Sequence, residues 1–160
     1  MTGEPDIRIT TTVNDVTVEA QVEGRTLLSD FLRHDVGLTG THVACEHGVC
    51  GACTVLVDDQ PVRSCLMLAA QVDGCRVDTV ESLGTQDDLS PLQSAMWAEH
   101  GLQCGFCTPG ILMTVEGGRR AGLDVRQVVE DALPGHLCRC TGYQNIRNAI
   151  ESYFAQGVQA

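Results

Sequence analysis

Residues 45–65 read CEHGVCGACTVLVDDQPVRSC, and the spacing of their four cysteines decides how the first half of the chain must fold. Cys45, Cys50 and Cys53 fall within one short loop. Cys65 follows only after a strand-like run, a polar turn at Asp58 to Gln60 and a second strand-like run. A loop that presents three thiols and then enters a hairpin can bring the fourth back beside them. Gly48 and Gly51 lie inside the loop, where their tolerance of positive φ lets the backbone wrap closely and turn its N–H groups inward.

On either side of this loop the pattern is strand-like and then helical. Residues 7–22, IRITTTVNDVTVEAQV, alternate apolar and polar residues about Asn14-Asp15, as two antiparallel strands joined by a tight turn do. TLLSDFLRHDVG (26–37) places Leu27, Leu28, Phe31 and Leu32 at helical spacing before Gly37, and CRVDTV (75–80) reads as a further strand. Strands packed on one helix predict an α+β domain.

The pattern changes at ESLGTQDDL (81–89), a polar linker, which sets the expected domains at 1–81 and 82–160. Ser90-Pro91-Leu92-Gln93 is a capping box with proline at the first helical position, and Leu92, Ala95 and Met96 supply a core stripe. Thr108-Pro109, Asp124 with Gln127, and Thr141 with Gln144 open three more helices, so the second half reads as a small bundle of four. The glycine-rich run TVEGGRRAGLDVRQ (114–127) and Pro134 stand where a longer helix is expected.

Composition narrows the function. The 160 residues hold 10 Lys plus Arg against 21 Asp plus Glu, a formal charge of −11, with no basic run. Nucleic acid is not the expected partner. There is neither a long apolar stretch nor a basic amphipathic face, so membrane insertion is not expected. The start, MTGEPDIRI, has no apolar signal core, and a cytoplasmic location follows as the expectation. Nine cysteines, at 45, 50, 53, 65, 75, 104, 107, 138 and 140, then point to metal rather than disulfides. Four fall in each half and Cys75 is left over as an ordinary semi-buried thiol. His47 and His136 neighbour the cysteines, but a Rieske-type centre needs two histidine ligands and eight thiols already make two groups of four, so both are expected as surface histidines or as supports behind the ligands.

The first group, C-x4-C-x2-C-x11-C, has in its first three members the plant-type ferredoxin spacing for a 2Fe-2S cluster. Zinc sites usually pair two short knuckles instead of gathering three thiols in one loop. For the second group, Cys104-x2-Cys107-x30-Cys138-x1-Cys140, spacing alone leaves zinc and a cluster open. Helix starts expected directly after Cys107 and Cys140 would aim positive dipole ends at the centre, which suits an anionic cluster of charge about −2 oxidised and −3 reduced.

The motifs CEHGVCGACTV, SCLMLA, LQCGFCTPG and LCRCTGYQNI, in that order from about Ile7 to about Phe154, resemble the small iron–sulfur subunit of the molybdenum hydroxylases, the xanthine oxidase and carbon monoxide dehydrogenase family. The resemblance implies a plant-type ferredoxin-like (β-grasp) domain followed by an all-α four-helix-bundle domain, each with one 2Fe-2S cluster. It assigns Cys45, Cys50, Cys53 and Cys65 to the first cluster and Cys104, Cys107, Cys138 and Cys140 to the second. It also implies a large partner subunit carrying molybdenum on molybdopterin cytosine dinucleotide and a medium subunit carrying FAD, in a dimer of heterotrimers. Electrons would run from molybdenum through the second cluster, then the first, to flavin or another acceptor. Gln103 matches the glutamine that hydrogen-bonds the pterin, and Cys140 the ligand whose sulfur approaches the pterin amino group. Substrate binding and catalytic residues would lie on another chain. The competing functions are a free-standing two-cluster ferredoxin and a zinc-binding structural protein.

Overall fold

The computed structural model describes residues 6–157; the outermost ends of both expected domains, and most of the amino-terminal stretch read above, lie outside them. The expected hairpin forms as β1 (Ile7–Val13) and β2 (Val16–Val22), paired antiparallel from Ile7↔Val22 to Val13↔Val16. Asn14 and Asp15 both take positive φ, the geometry a two-residue turn needs if it is to match strand twist. β3 (Thr54–Val57) and β4 (Gln60–Arg63) form a second hairpin around Asp58-Asp59, again both at positive φ. β5 (Arg76–Asp78) enters between the hairpins, parallel to β1 and antiparallel to β3, giving the order β2-β1-β5-β3-β4.

The helix over this sheet departs from expectation. α1 (Leu28–Asp30) is regular for three residues, after which Phe31–Asp35 is π-wound, with Val36 N–H reaching Phe31 O at 3.0 Å. Leu28, Phe31 and Leu32 still reach the core, with Ile9, Val13, Val55 and Val77 of the strands, while Leu27 is only partly buried. Widening the turn changes the winding and keeps the apolar face.

The second half is helical. α2 (Pro91–Ala98) starts at the expected capping box: Gln93 N–H donates to Ser90 Oγ (3.2 Å), and Ser90 N–H donates to Gln93 Oε1 (2.8 Å). α3 (Thr108–Arg120) runs straight through Gly117-Gly118. A Cβ on Gly117 would meet the Leu56 side chain at 2.8 Å and one on Gly118 the Val128 side chain at 2.9 Å, so the glycines mark close approaches to the sheet and to the following helical segment and not a break. α4 (Val125–Gln127) opens with Asp124 and Gln127 capping each other and continues π-wound over Val128–Ala132; Pro134 sits in the 3-10 turn Leu133–Gly135. α5 is Gln144–Ala155. Leu92, Ala95 and Met96 pack with Ile111, Val115, Val128, Ile146 and Ile150 in a second core, separate from the first. Among the described residues no helix is long and apolar enough to cross a membrane.

Candidate metal centres

The loop before β3 does what its glycines predict. Gly48 and Gly51 have φ of +80° and +79°. Cys50 N–H lies 3.4 Å from Cys45 Sγ, and those of His47 and Val49 also turn to that sulfur. The Cys45 thiol is therefore pulled down to about 6, first by the Cys50 amide and then by that of His47. Cys53 and Cys65 are buried and in mutual contact; burial, then the neighbouring Cys53 sulfur, pushes Cys65 up to about 11. The hairpin β3–β4 thus returns Cys65 to the loop. Ser64 donates to Cys53 O at 2.8 Å and holds it there.

The second group has the same plan. Cys140 Sγ lies 3.5 Å from Cys104 Sγ at the surface, and Cys107 contacts Cys138 against the helical core. Burial, with Cys138 beside it, pushes Cys107 up to about 12. Cys138 falls below the ordinary thiol range despite its burial, because the Thr141 hydroxyl, 3.2 Å away, and the amides of Thr141 and Cys140 favour its thiolate. α3 begins at Cys107, as expected. The other expected start is corrected: α5 opens at Gln144 after Tyr143 at φ 68°, with no side-chain cap, and Thr141 instead accepts from Tyr143 N–H at 3.0 Å. The sharp turn Thr141–Tyr143, which aims amides at Cys138, displaces a helix end.

In both groups the close contacts come in pairs: Cys45 with Cys50, Cys53 with Cys65, Cys104 with Cys140, Cys107 with Cys138. Among the described residues no three His, Cys, Asp or Glu side chains crowd one point as a single-ion site requires. Two thiols on each of two irons is the donor arrangement a binuclear cluster needs, and a cationic core would relieve Cys65 and Cys107, each pushed up by burial and the sulfur beside it. The donor sets therefore fit 2Fe-2S clusters.

The remaining residues singled out in the sequence fall apart. Gln103 is exposed beside exposed Cys104; His47 is exposed; Cys75 is half-buried beside the carbonyls of Gln71 and Asp73. His136 is buried and kept neutral, pushed down to about 4 by burial and then by the Arg63 charge.

Sequence reasoning missed the link between the groups. Leu137 N–H donates to Cys50 O at 2.9 Å, Arg63 donates to Gly135 O at 2.7 Å, and a Cβ on Gly110 of α3 would lie 2.2 Å from Gly51 O. The Tyr143 hydroxyl accepts from Cys138 N–H (2.8 Å) and donates to His136 O (3.0 Å). The only signal for these in the sequence is that each lies within a cysteine motif or beside one.

Known proteins resemble this chain in both halves. Residues 11–78 match the 2Fe-2S iron-sulfur cluster binding domain and residues 79–151 a second family, the 2Fe-2S binding domain. The chain is 54% identical over 148 residues to caffeine dehydrogenase subunit gamma of Pseudomonas sp. (strain CBB1), covering 90% of this chain and 89% of that one. It is 38% identical over 167 residues to the aldehyde oxidoreductase iron-sulfur-binding subunit PaoA of Escherichia coli (strain K12), covering 94% and 73%. The structure of quinoline 2-oxidoreductase from Pseudomonas putida 86 superposes with a TM-score of 0.87 at 42% identity, over 98% of this chain and the whole of that one. Two cluster-binding family matches and likeness along nearly the full length converge: the chain belongs to the family of small iron–sulfur subunits of the molybdenum hydroxylases.

Proposed function

We propose that Cys45, Cys50, Cys53 and Cys65 hold one 2Fe-2S cluster and Cys104, Cys107, Cys138 and Cys140 a second, and that the chain carries electrons between a molybdenum-pterin subunit and an FAD subunit. The chain divides near residues 81 and 82 into a ferredoxin-like unit and a four-helix bundle; the two cores and the family boundary at 78/79 support that division. A 2Fe-2S cluster takes up and releases single electrons. The protein's own contribution is to aim amide N–H groups at the sulfurs, which favours the reduced, more negative state, and to sink one thiol pair of each group away from water.

One observation carries the reading as a subunit: Cys104 and Cys140 form an exposed pair beside exposed Gln103 and Phe106. This is an electron entry port, with Gln103 hydrogen-bonding the pterin and Cys140 sulfur facing its amino group. Phe106 stacks on His42, with ring centroids 4.8 Å apart, so the loop is braced by the sheet-bearing half. The molybdenum cofactor is molybdopterin cytosine dinucleotide and the complex a dimer of heterotrimers, on the family resemblance. The cytoplasmic location is proposed on the sequence reading, in which a cysteine-rich chain gathers its thiols for metal. The names of the caffeine and quinoline enzymes support an N-heterocyclic substrate, bound on the large subunit.

Purification from the native host through this chain alone tests the proposal. Two larger chains should accompany it, with molybdenum, pterin and FAD, and the complex should oxidise an N-heterocycle from a panel that also holds aldehydes. A chain that runs alone with iron and reduces freely would establish a free ferredoxin; one with zinc would remove the electron-transfer role.

A further inference from the structure

His136 belongs by sequence to the second thiol group and lies in space against the first. It is 1% exposed. Its Nε2 lies 2.7 Å from Thr114 Oγ1 on α3, while its buried Nδ1 meets no hydrogen-bonding partner among the described residues. The ring stands on Gly51, between Cys50 and Cys53; a Cβ there would come within 2.4 Å of Nδ1. The backbone around the ring is fixed: His136 N–H donates to Leu133 O (3.0 Å), its carbonyl accepts from Tyr143, and Leu137 N–H donates to Cys50 O.

Hydrogen-bond economy places the proton. If the Thr114 hydroxyl donates to Nε2, the ring proton is on Nδ1 and one group is left over, an N–H beside the first loop. In the reverse arrangement two groups are left over, the Thr114 hydroxyl hydrogen and a bare Nδ1. Buried polar groups that remain unpaired are costly, so the first arrangement is the stable one, and its spare donor points to an acceptor in the Cys45–Cys65 site.

We propose that His136 is a positioning residue which, from the helical half, donates its Nδ1–H into the Cys45–Cys65 site and raises the potential of the cluster held there. A donor beside a cluster stabilises the reduced state, because that state is the more negative. The proposal rests on the assignment of Cys45, Cys50, Cys53 and Cys65 to a 2Fe-2S cluster.

The test is an EPR-monitored redox titration of the full chain carrying its clusters, with the first-site signal identified by its loss in Cys50→Ala. His136→Leu removes the donor and keeps an apolar ring-sized filling. At a fixed potential it should lower the reduced-to-oxidised ratio of the first cluster by about two- to tenfold, the size of one net hydrogen bond, and leave the second cluster's midpoint in place. His136→Asn, which retains an N–H donor, should recover part of the shift. Thr114→Val, which removes the partner of Nε2 but leaves Nδ1–H its acceptor, should leave the first midpoint close to wild type. An unchanged first midpoint in His136→Leu, or equal shifts of both clusters as general loosening would give, overturns the proposal. Should His136→Leu lose iron, His136→Asn decides, and an unchanged first-site midpoint in it overturns the proposal. A wild-type chain without a first-site signal would instead defeat the cluster assignment.

Discussion

Arg120, the last residue of α3, ties the helical half to the sheet and should be the most costly charge to remove. Its Nη1 lies 2.7 Å from Asp59 Oδ1 in the β3–β4 turn and contacts Asp78 at the end of β5, while its Nε lies 2.9 Å from Glu116 Oε1. The Asp78 side chain is 7% exposed and that of Arg120 23%. Arg120→Met leaves Asp78 with only Arg76, 3.7 Å away, and Glu116 with Arg119 at 2.7 Å. Removing one partner of a buried pair leaves a charge without its full compensation; the surviving arginines put the loss near the low end, about 2–3 kcal/mol. For a chain of this length that lowers Tm by about 4–12 °C. Asp78→Asn added to Arg120→Met should restore about half, since the stranded charge goes with it. The pH dependence has a definite sign. Arg120 holds the Asp59 carboxyl below the usual carboxylate range; burial pushes Glu116 up, but Arg119 and Arg120 outweigh it and leave it low as well. Depressed carboxylates contribute stability above the unfolded carboxylate range and lose it as pH falls through their folded values. The gap between wild type and Arg120→Met should therefore be widest near neutrality and close on acidification below about pH 4. Thermal melts of the full chain across that range check both arms. A Tm within about 1 °C of wild type, or a gap independent of pH, would refute the reasoning.

Cys75→Ser should keep both EPR signals, whereas Cys50→Ala should erase one and destabilise the sheet-bearing half, because a small unit leans on its metal; loss of a signal from the Cys75 variant would mean the first ligand set is misassigned. Gln103→Ala in the assembled complex should leave iron content intact and slow electron transfer from molybdenum, by the loss of a bond of about 0.5–1.5 kcal/mol. Unchanged turnover, cofactor content and second-cluster potential would show that Gln103 makes no such contact, and loss of iron would make it a support for Cys104.

Local rules carried most of the fold. Alternation and the Asn14-Asp15 and Asp58-Asp59 turns gave both hairpins, and reciprocal caps at Ser90/Gln93 and Asp124/Gln127 gave two helix starts, because these signals are complete within a few residues. The same rule failed at Thr141/Gln144. There the Thr141 hydroxyl faces Cys138 sulfur, and a contact made by the site outcompeted the cap. The π-winding after Asp30 and Gln127 was hidden because an apolar face looks the same at either winding over five residues. Gly117-Gly118 belong to the glycine-rich run that stood where a longer helix was expected; the tertiary approach of Leu56 and Val128 accounts for them inside an unbroken α3. The thiol groups were legible from spacing. Their connection through Cys50, Leu137 and Arg63 was not, since hydrogen bonds between distant segments leave no periodic trace.

Low-temperature EPR of the dithionite-reduced full chain, with iron counted on the same sample, tests the two-cluster assignment most directly. One thiol group lies in a loop before a strand and the other between the start of α3 and the Thr141 turn, so clusters held there as proposed would differ in surroundings and potential. Two overlapping signals that integrate to about two spins, with about four irons per chain, are expected. A single signal of one spin, or a colourless chain holding zinc, would contradict it.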